Sequence, residues 1–87
     1  MTDDDLEWAE VAWEQYEWWD QNDKKVRDRI NALVDSVLAT PFTGIGKPEP
    51  LRGNLSGLWS RRITREHRLV YEVRDGRPII HQCRFHY

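Results

Sequence analysis

At 87 residues the chain has room for one domain and one core, so a single unit spans residues 1–87. One cysteine excludes an internal disulfide, and no apolar run approaches the roughly 20 residues of a membrane helix. The acidic start also lacks the basic-then-apolar layout of a secretory leader, so a soluble cytoplasmic protein is expected. The formal net charge of −2 conceals a division: residues 1–46 carry eleven Asp and Glu against four Lys and Arg, whereas residues 47–87 carry nine Lys and Arg against four acids. A basic half suits a phosphate backbone, with the acids limiting non-specific binding; equally, the acids solvate helices while the arginines lie incidentally in strands.

In chain order, Thr2 to Trp8 is short and acidic, with only Leu6 and Trp8 alternating; it reads as a brief edge strand or a frayed arm. From Ala9 the period becomes helical: Ala9, Ala12, Trp13, Tyr16 and Trp19 form one apolar stripe, with Glu10, Glu14 and Glu17 off it. Asp20 to Asp23 breaks that helix, and Asn22 or Asp23 can cap a second. Val26, Ile30, Leu33 and Val37 give the second helix its buried stripe. It should stop near Thr40, because Pro41 disfavours helical geometry in the residue before it. So short a connection implies an antiparallel helical hairpin. Phe42 to Arg52 reads as an ordered loop, in which Pro48 and Pro50 bias Glu49 towards an extended backbone.

Three strands follow, 57–64, 67–73 and 77–85, with turns at Thr64-Arg65-Glu66 and Arg74-Asp75-Gly76. The strand period of two sets Trp59, Arg61 and Ile63 against Leu58, Ser60, Arg62 and Thr64. It likewise sets Leu69, Tyr71 and Val73 against Arg68, Val70 and Glu72, and Ile79, His81, Cys83 and Phe85 against Ile80, Gln82, Arg84 and His86. If the apolar sets pack on the helices, Arg62, Arg68, Arg84 and His86 share the opposite face. Arg61 and His81 are the polar exceptions on the apolar side, where they snorkel or find buried partners.

That face suits RNA cleavage without a metal. A base must take the ribose 2′-hydroxyl proton, an acid must protonate the leaving 5′-oxygen, and cations must stabilise the charge gathering on phosphoryl oxygens. Glu49 can serve as the base, His86 as the acid, Arg62 and Arg68 as the clamp, and Arg52 as a further phosphate contact. The plainer alternatives are a solvating loop glutamate, an incidental near-terminal histidine and a surface ion-pair set of Arg62, Arg68 and Glu66. His67, His81 and Cys83 fit no recognised zinc spacing, so neither a metal site nor a cofactor is expected.

The run Thr40-Pro41-Phe42, Gly44-Ile45-Gly46-Lys47-Pro48-Glu49-Pro50-Leu51 resembles the YoeB toxins, a branch of the RelE superfamily. So do Asn54 to Thr64, Glu66-His67-Arg68-Leu69-Val70-Tyr71 and the ending Cys83-Arg84-Phe85-His86-Tyr87. The resemblance implies an α+β, microbial RNase-like fold, with an N-terminal helical hairpin packed on a twisted antiparallel sheet. It implies a bacterial, cytoplasmic toxin of a type II toxin–antitoxin system that binds the 70S ribosome and cuts mRNA in the A site. Carried to matching positions, Glu49 is the general base and His86 the general acid. Arg62 and Arg68 stabilise the transition state, and Tyr87 acts beside them in the catalytic group. Arg52, Lys47, Glu66 and Arg84 contact or support the substrate; Arg52 stands where relatives often carry lysine. The implied partners are a YefM-type antitoxin, whose acidic segment folds onto the toxin, and a second copy in a homodimer. The competing expectation is a non-catalytic module on the same scaffold, like the ParE-type inhibitors of DNA gyrase. The Asp3-Asp4-Asp5 start departs from the apolar first strand usual in the family.

Overall fold

The computed structural model describes residues 5–86. Its elements run β1 (Glu7–Trp8), α1 (Glu10–Asn22), α2 (Lys24–Ala39), β2 (Glu49–Pro50), a 3₁₀ turn (Gly53–Leu55), β3 (Trp59–Arg62), β4 (Arg68–Arg74) and β5 (Arg77–Gln82). The sheet order is β1-β5-β4-β3-β2. β3, β4 and β5 pair antiparallel, as expected, β2 pairs antiparallel with β3 where a loop was expected, and β1 joins β5 in parallel, with Glu7 opposite Ile79 and Trp8 opposite Ile80. The anticipated early strand is therefore real but two residues long; its residues 2–4 lie outside the described residues.

The helical hairpin follows from its junction. Asp23 is extended (φ −157, ψ 93), so its N–H closes α1 on the Trp19 carbonyl at 2.8 Å while its carboxylate accepts from Val26 N at 3.3 Å. One residue thus ends one helix and caps the next. In α2, Ile30, Leu33 and Val37 are fully buried, with Val26 packed beside them. The α1 stripe is less uniform. Ala12 and Trp19 enter the core, whereas Trp13 remains 44% exposed and stacks on Tyr16 at 5.3 Å between ring centroids. The helices cover one sheet face through Leu69, Tyr71, Ile80 and Cys83. No helix among the described residues is long and apolar enough to cross a membrane.

Strand β5 departs from strict alternation. Val70 is opposite Gln82 but Tyr71 is opposite Ile80, so His81 is an extra residue, a β-bulge. Paired residues share a face, so Ile80 is the residue of β5 that joins the core under the helices, while Ile79, also buried, lies opposite Glu72 on the other face. Beyond the bulge the phase is restored, and Cys83 is again fully buried, its thiol 3.4 Å from the Ala12 carbonyl. The displaced His81 bonds Glu72 Oε1 through Nε2 at 2.7 Å. The β4–β5 turn is a two-residue one in which Asp75 and Gly76 both take positive φ (53 and 77), the geometry that matches strand twist.

Candidate functional site

Arg61 is the first surprise of the site. It points into the core with 0% exposure, yet among the described residues no carboxylate forms an ion pair with it. Instead Nε donates to Tyr71 Oη at 3.1 Å, Nη1 to Ser36 Oγ at 2.6 Å and the Ile45 carbonyl at 3.1 Å, and Nη2 to the Thr40 and Thr43 carbonyls at 2.8 Å each. Tyr71 in turn donates to the Pro41 carbonyl at 2.6 Å. The loop after α2, whose backbone would otherwise face solvent, is thereby wrapped around one buried cation. Of the two fates expected for Arg61, buried partners is the one realised.

That wrapping sets the next segment. Gly46 (φ 83) approaches so closely that a Cβ there would stand 2.6 Å from Leu33 Cδ2 and 3.1 Å from Arg61 Cβ. Its carbonyl accepts from Arg62 N at 2.7 Å, Lys47 turns through positive φ (54), and Glu49 pairs opposite Ser60. The expected loop position of Glu49 is therefore a short strand, β2, held on the sheet edge.

On the sheet face away from the helices, Lys47, Glu49, Ser60, Arg62, Arg68 and His86 line a cleft of about 150 Å³. Arg62 and Arg68 are direct cross-strand partners, which places two like charges side by side. Such a pair weakens a sheet unless an anion joins it. Arg68 is held from behind, its Nη1 donating to the carbonyls of Thr64 at 2.9 Å, Arg65 at 3.1 Å and His67 at 3.1 Å. With three cations, one carboxylate, a histidine and a hydroxyl, the cleft can bind a phosphate and offers one group on each side of a proton transfer. Among the described residues, no three His, Cys, Asp or Glu side chains are grouped to share a metal ion.

The other expected residues stand apart from this lining. Arg52 is exposed at the entry to the 3₁₀ turn, and Glu66 is exposed in the β3–β4 turn, its N–H on Thr64 Oγ1 at 3.2 Å. Arg84 does not share the face with Arg62, Arg68 and His86. The chain leaves strand geometry after Gln82, and the Arg84 guanidinium lies over the Trp18 ring, 3.5 Å from its centroid. Tyr87 lies outside the described residues. Sequence reasoning did not single out Ser60 as a site residue, although its position two before Arg62 put it on the same face.

Comparison with known proteins decides the family. The model of the YoeB-like toxin of bacterial type II toxin–antitoxin systems matches residues 8–87. The chain belongs to this family. A YoeB toxin of Synechocystis is 55% identical over 94% of this chain and 95% of its own length. Among solved structures, a YoeB/ParE toxin from Agrobacterium tumefaciens superposes with a TM-score of 0.92 at 49% identity, covering 94% of this chain and 98% of that one. A YoeB–YefM complex from Staphylococcus aureus gives 0.88 at 44% identity, covering 94% and 95%. The YoeB-like fold is thus the framework on which the cleft is built.

Proposed function

We propose that the chain is a ribosome-dependent endoribonuclease that cuts mRNA in the A site and so stops translation. The observation that carries this reading is the convergence of Glu49, His86, Arg62, Arg68 and Lys47 on one small cleft from four separate parts of the chain. In the proposed step, Glu49 takes the 2′-hydroxyl proton and the 2′-oxygen attacks the adjacent phosphorus. The bond from phosphorus to the 5′-oxygen breaks, and His86 gives its proton to that oxygen. The products are a 2′,3′-cyclic phosphate, open to later hydrolysis to a 3′-phosphate, and a 5′-hydroxyl. Arg62 and Arg68 stabilise the phosphoryl oxygens as charge gathers there, and the adjacency that strains the free sheet becomes an asset once the anion arrives. Lys47 and Arg52 draw in the flanking backbone, Glu66 orients the turn beneath Arg68, and Tyr87 completes the catalytic group.

The partner in this reading is a YefM-type antitoxin, supported by the family and by the S. aureus YoeB–YefM assembly. An acidic antitoxin segment has a natural counterpart in the cationic cleft. Primer extension on a defined mRNA in a purified translation system, with and without ribosomes, tests the proposal. A cut within the A-site codon, present only with ribosomes and lost in Glu49→Ala and His86→Ala, is expected. Translation arrest without a cut, or undiminished by His86→Ala, would overturn it in favour of a binding module.

A further inference from the structure

His86 follows a residue in an unusual conformation. Phe85 takes φ 68, a left-handed geometry costing a β-carbon-bearing residue on the order of 1–3 kcal/mol unless its surroundings hold it. Three groups do so: its N–H donates to His67 Nδ1 at 2.7 Å, and its carbonyl accepts from Arg68 N at 3.0 Å and Gln82 Nε2 at 3.1 Å. The ring of Phe85, 54% exposed, adds only surface contacts with the His67 ring at 6.0 Å between centroids and the Arg84 guanidinium at 4.6 Å. His67 is itself fixed. Its ring meets the buried Trp19 edge-on at 4.9 Å, its N–H donates to Thr64 Oγ1 at 3.2 Å, and its carbonyl accepts from Ile63 N at 3.0 Å. Trp19 Nε1 donates to the Cys83 carbonyl at 2.9 Å, so the same core tryptophan grips the tail two residues earlier.

We infer that His67 is a positioning residue: through Nδ1 it fixes the Phe85 amide, and thereby holds the segment that carries His86 at the cleft. A backbone N–H can only donate, so Nδ1 must present its lone pair, and the ring is the tautomer protonated at Nε2. His67 therefore stands outside proton transfer in the proposed reaction and acts through geometry. Near-attack placement gives the idea its reach, since a displacement of about 1 Å can cost roughly a hundredfold in rate. Its consequence for cleavage rests on the ribonuclease reading; the anchoring itself does not.

The test uses the full chain and two substitutions. His67→Phe keeps a ring against Trp19 but removes the acceptor, whereas His67→Asn offers an amide oxygen where Nδ1 stood. Amide hydrogen exchange by NMR should show Phe85 exchanging at least about tenfold faster in His67→Phe, with Leu69 and Tyr71 unchanged and His67→Asn restored towards wild type. In the translation assay, His67→Phe should lower kcat by roughly ten- to a hundredfold with KM for programmed ribosomes little changed, and His67→Asn should recover most of it. Unaltered Phe85 exchange in His67→Phe would overturn the inference whatever the activity. Faster exchange with undiminished kcat would overturn its catalytic consequence. Faster exchange in a protein that never cleaves would uphold the anchor and sink the ribonuclease reading instead.

Discussion

Arg61 Nε and Tyr71 Oη lie 3.1 Å apart on neighbouring strands, and both side chains end on the loop between α2 and β2. Two core residues thus serve as the floor of a loop whose far end carries Lys47 and Glu49. The pair ties stability to the site. Arg61→Met should strip the Ile45 carbonyl and Ser36 Oγ of the Arg61 bond and leave the Thr40 and Thr43 carbonyls only their bonds to Thr43 N and Thr40 Oγ1, costing at least about 3 kcal/mol and lowering Tm by more than about 10 °C. Tyr71→Phe, which keeps the ring, should cost only about 1–2 kcal/mol. Thermal and urea unfolding of the two variants checks the ranking.

Two glycines with positive φ differ in what surrounds them. At Gly46 an added Cβ collides with Leu33 and crowds Arg61, whereas at Gly53 (φ 66) nothing lies within 4 Å. Gly53→Ala should therefore cost about 1 kcal/mol from backbone geometry alone. Gly46→Ala should cost about 2–4 kcal/mol and displace Lys47 and Glu49, lowering cleavage more than its stability loss explains. Unfolding curves beside single-turnover cleavage at a temperature where both variants are folded separate the two effects.

The arginines should divide by location. Arg62→Ala and Arg68→Ala should each reduce cleavage by roughly a hundred- to a thousandfold. Arg84→Ala should change it less than about threefold while losing on the order of 1 kcal/mol of stability, because that guanidinium is spent on the Trp18 ring. Measured side by side under single-turnover conditions, equal losses at all three positions would refute this division.

Alkaline pH should loosen the core through two buried groups. Burial pushes the Cys83 thiol from 9.0 up to about 12, and burial also raises the Tyr71 hydroxyl, against the lowering influence of Arg61. A group whose folded-state value is raised contributes stability that is complete below its unfolded value and lost as pH climbs through the folded one. Cys83 alone should thus reduce stability by up to about 1.4 kcal/mol per pH unit between the two values. Urea unfolding at pH 8, 10 and 11 should show the decline, with Cys83→Ala showing a shallower one.

Much of the architecture was legible because it rests on periodic burial. Ile30, Leu33 and Val37 repeat at helical spacing, and Leu69 and Tyr71 stand two apart on the helix side of β4, so their faces could be read directly even though Val70 between them is also buried. The phase of β5 could not, since the insertion of His81 leaves no trace in hydrophobicity when Ile79 and Ile80 are equally apolar. β2 escaped for a different reason: two residues carry no period, and it exists only because β3 offers a partner. Arg61 was noticed as a misfit, yet its role depends on carbonyls from a loop that only the fold brings near. Lys47, Glu49, Arg62, Arg68 and His86 were named from chemistry and family likeness, and they do line one cleft. Arg84 was extrapolated along a strand that had already ended.

The bulge at His81 gives β5 one residue more than its ladder needs. Its side chain lies outside the two-sided alternation, so replacements there that spare Glu72 a bad contact should be absorbed locally. Deleting the position should be absorbed as well. Without His81, Ile80 stays opposite Tyr71 and Gln82 opposite Val70, so the ladder becomes regular and Cys83 keeps its place in the core. In a library of single-residue deletions, position 81 should therefore be one of the more forgiving sites of the sheet, losing chiefly the bond to Glu72.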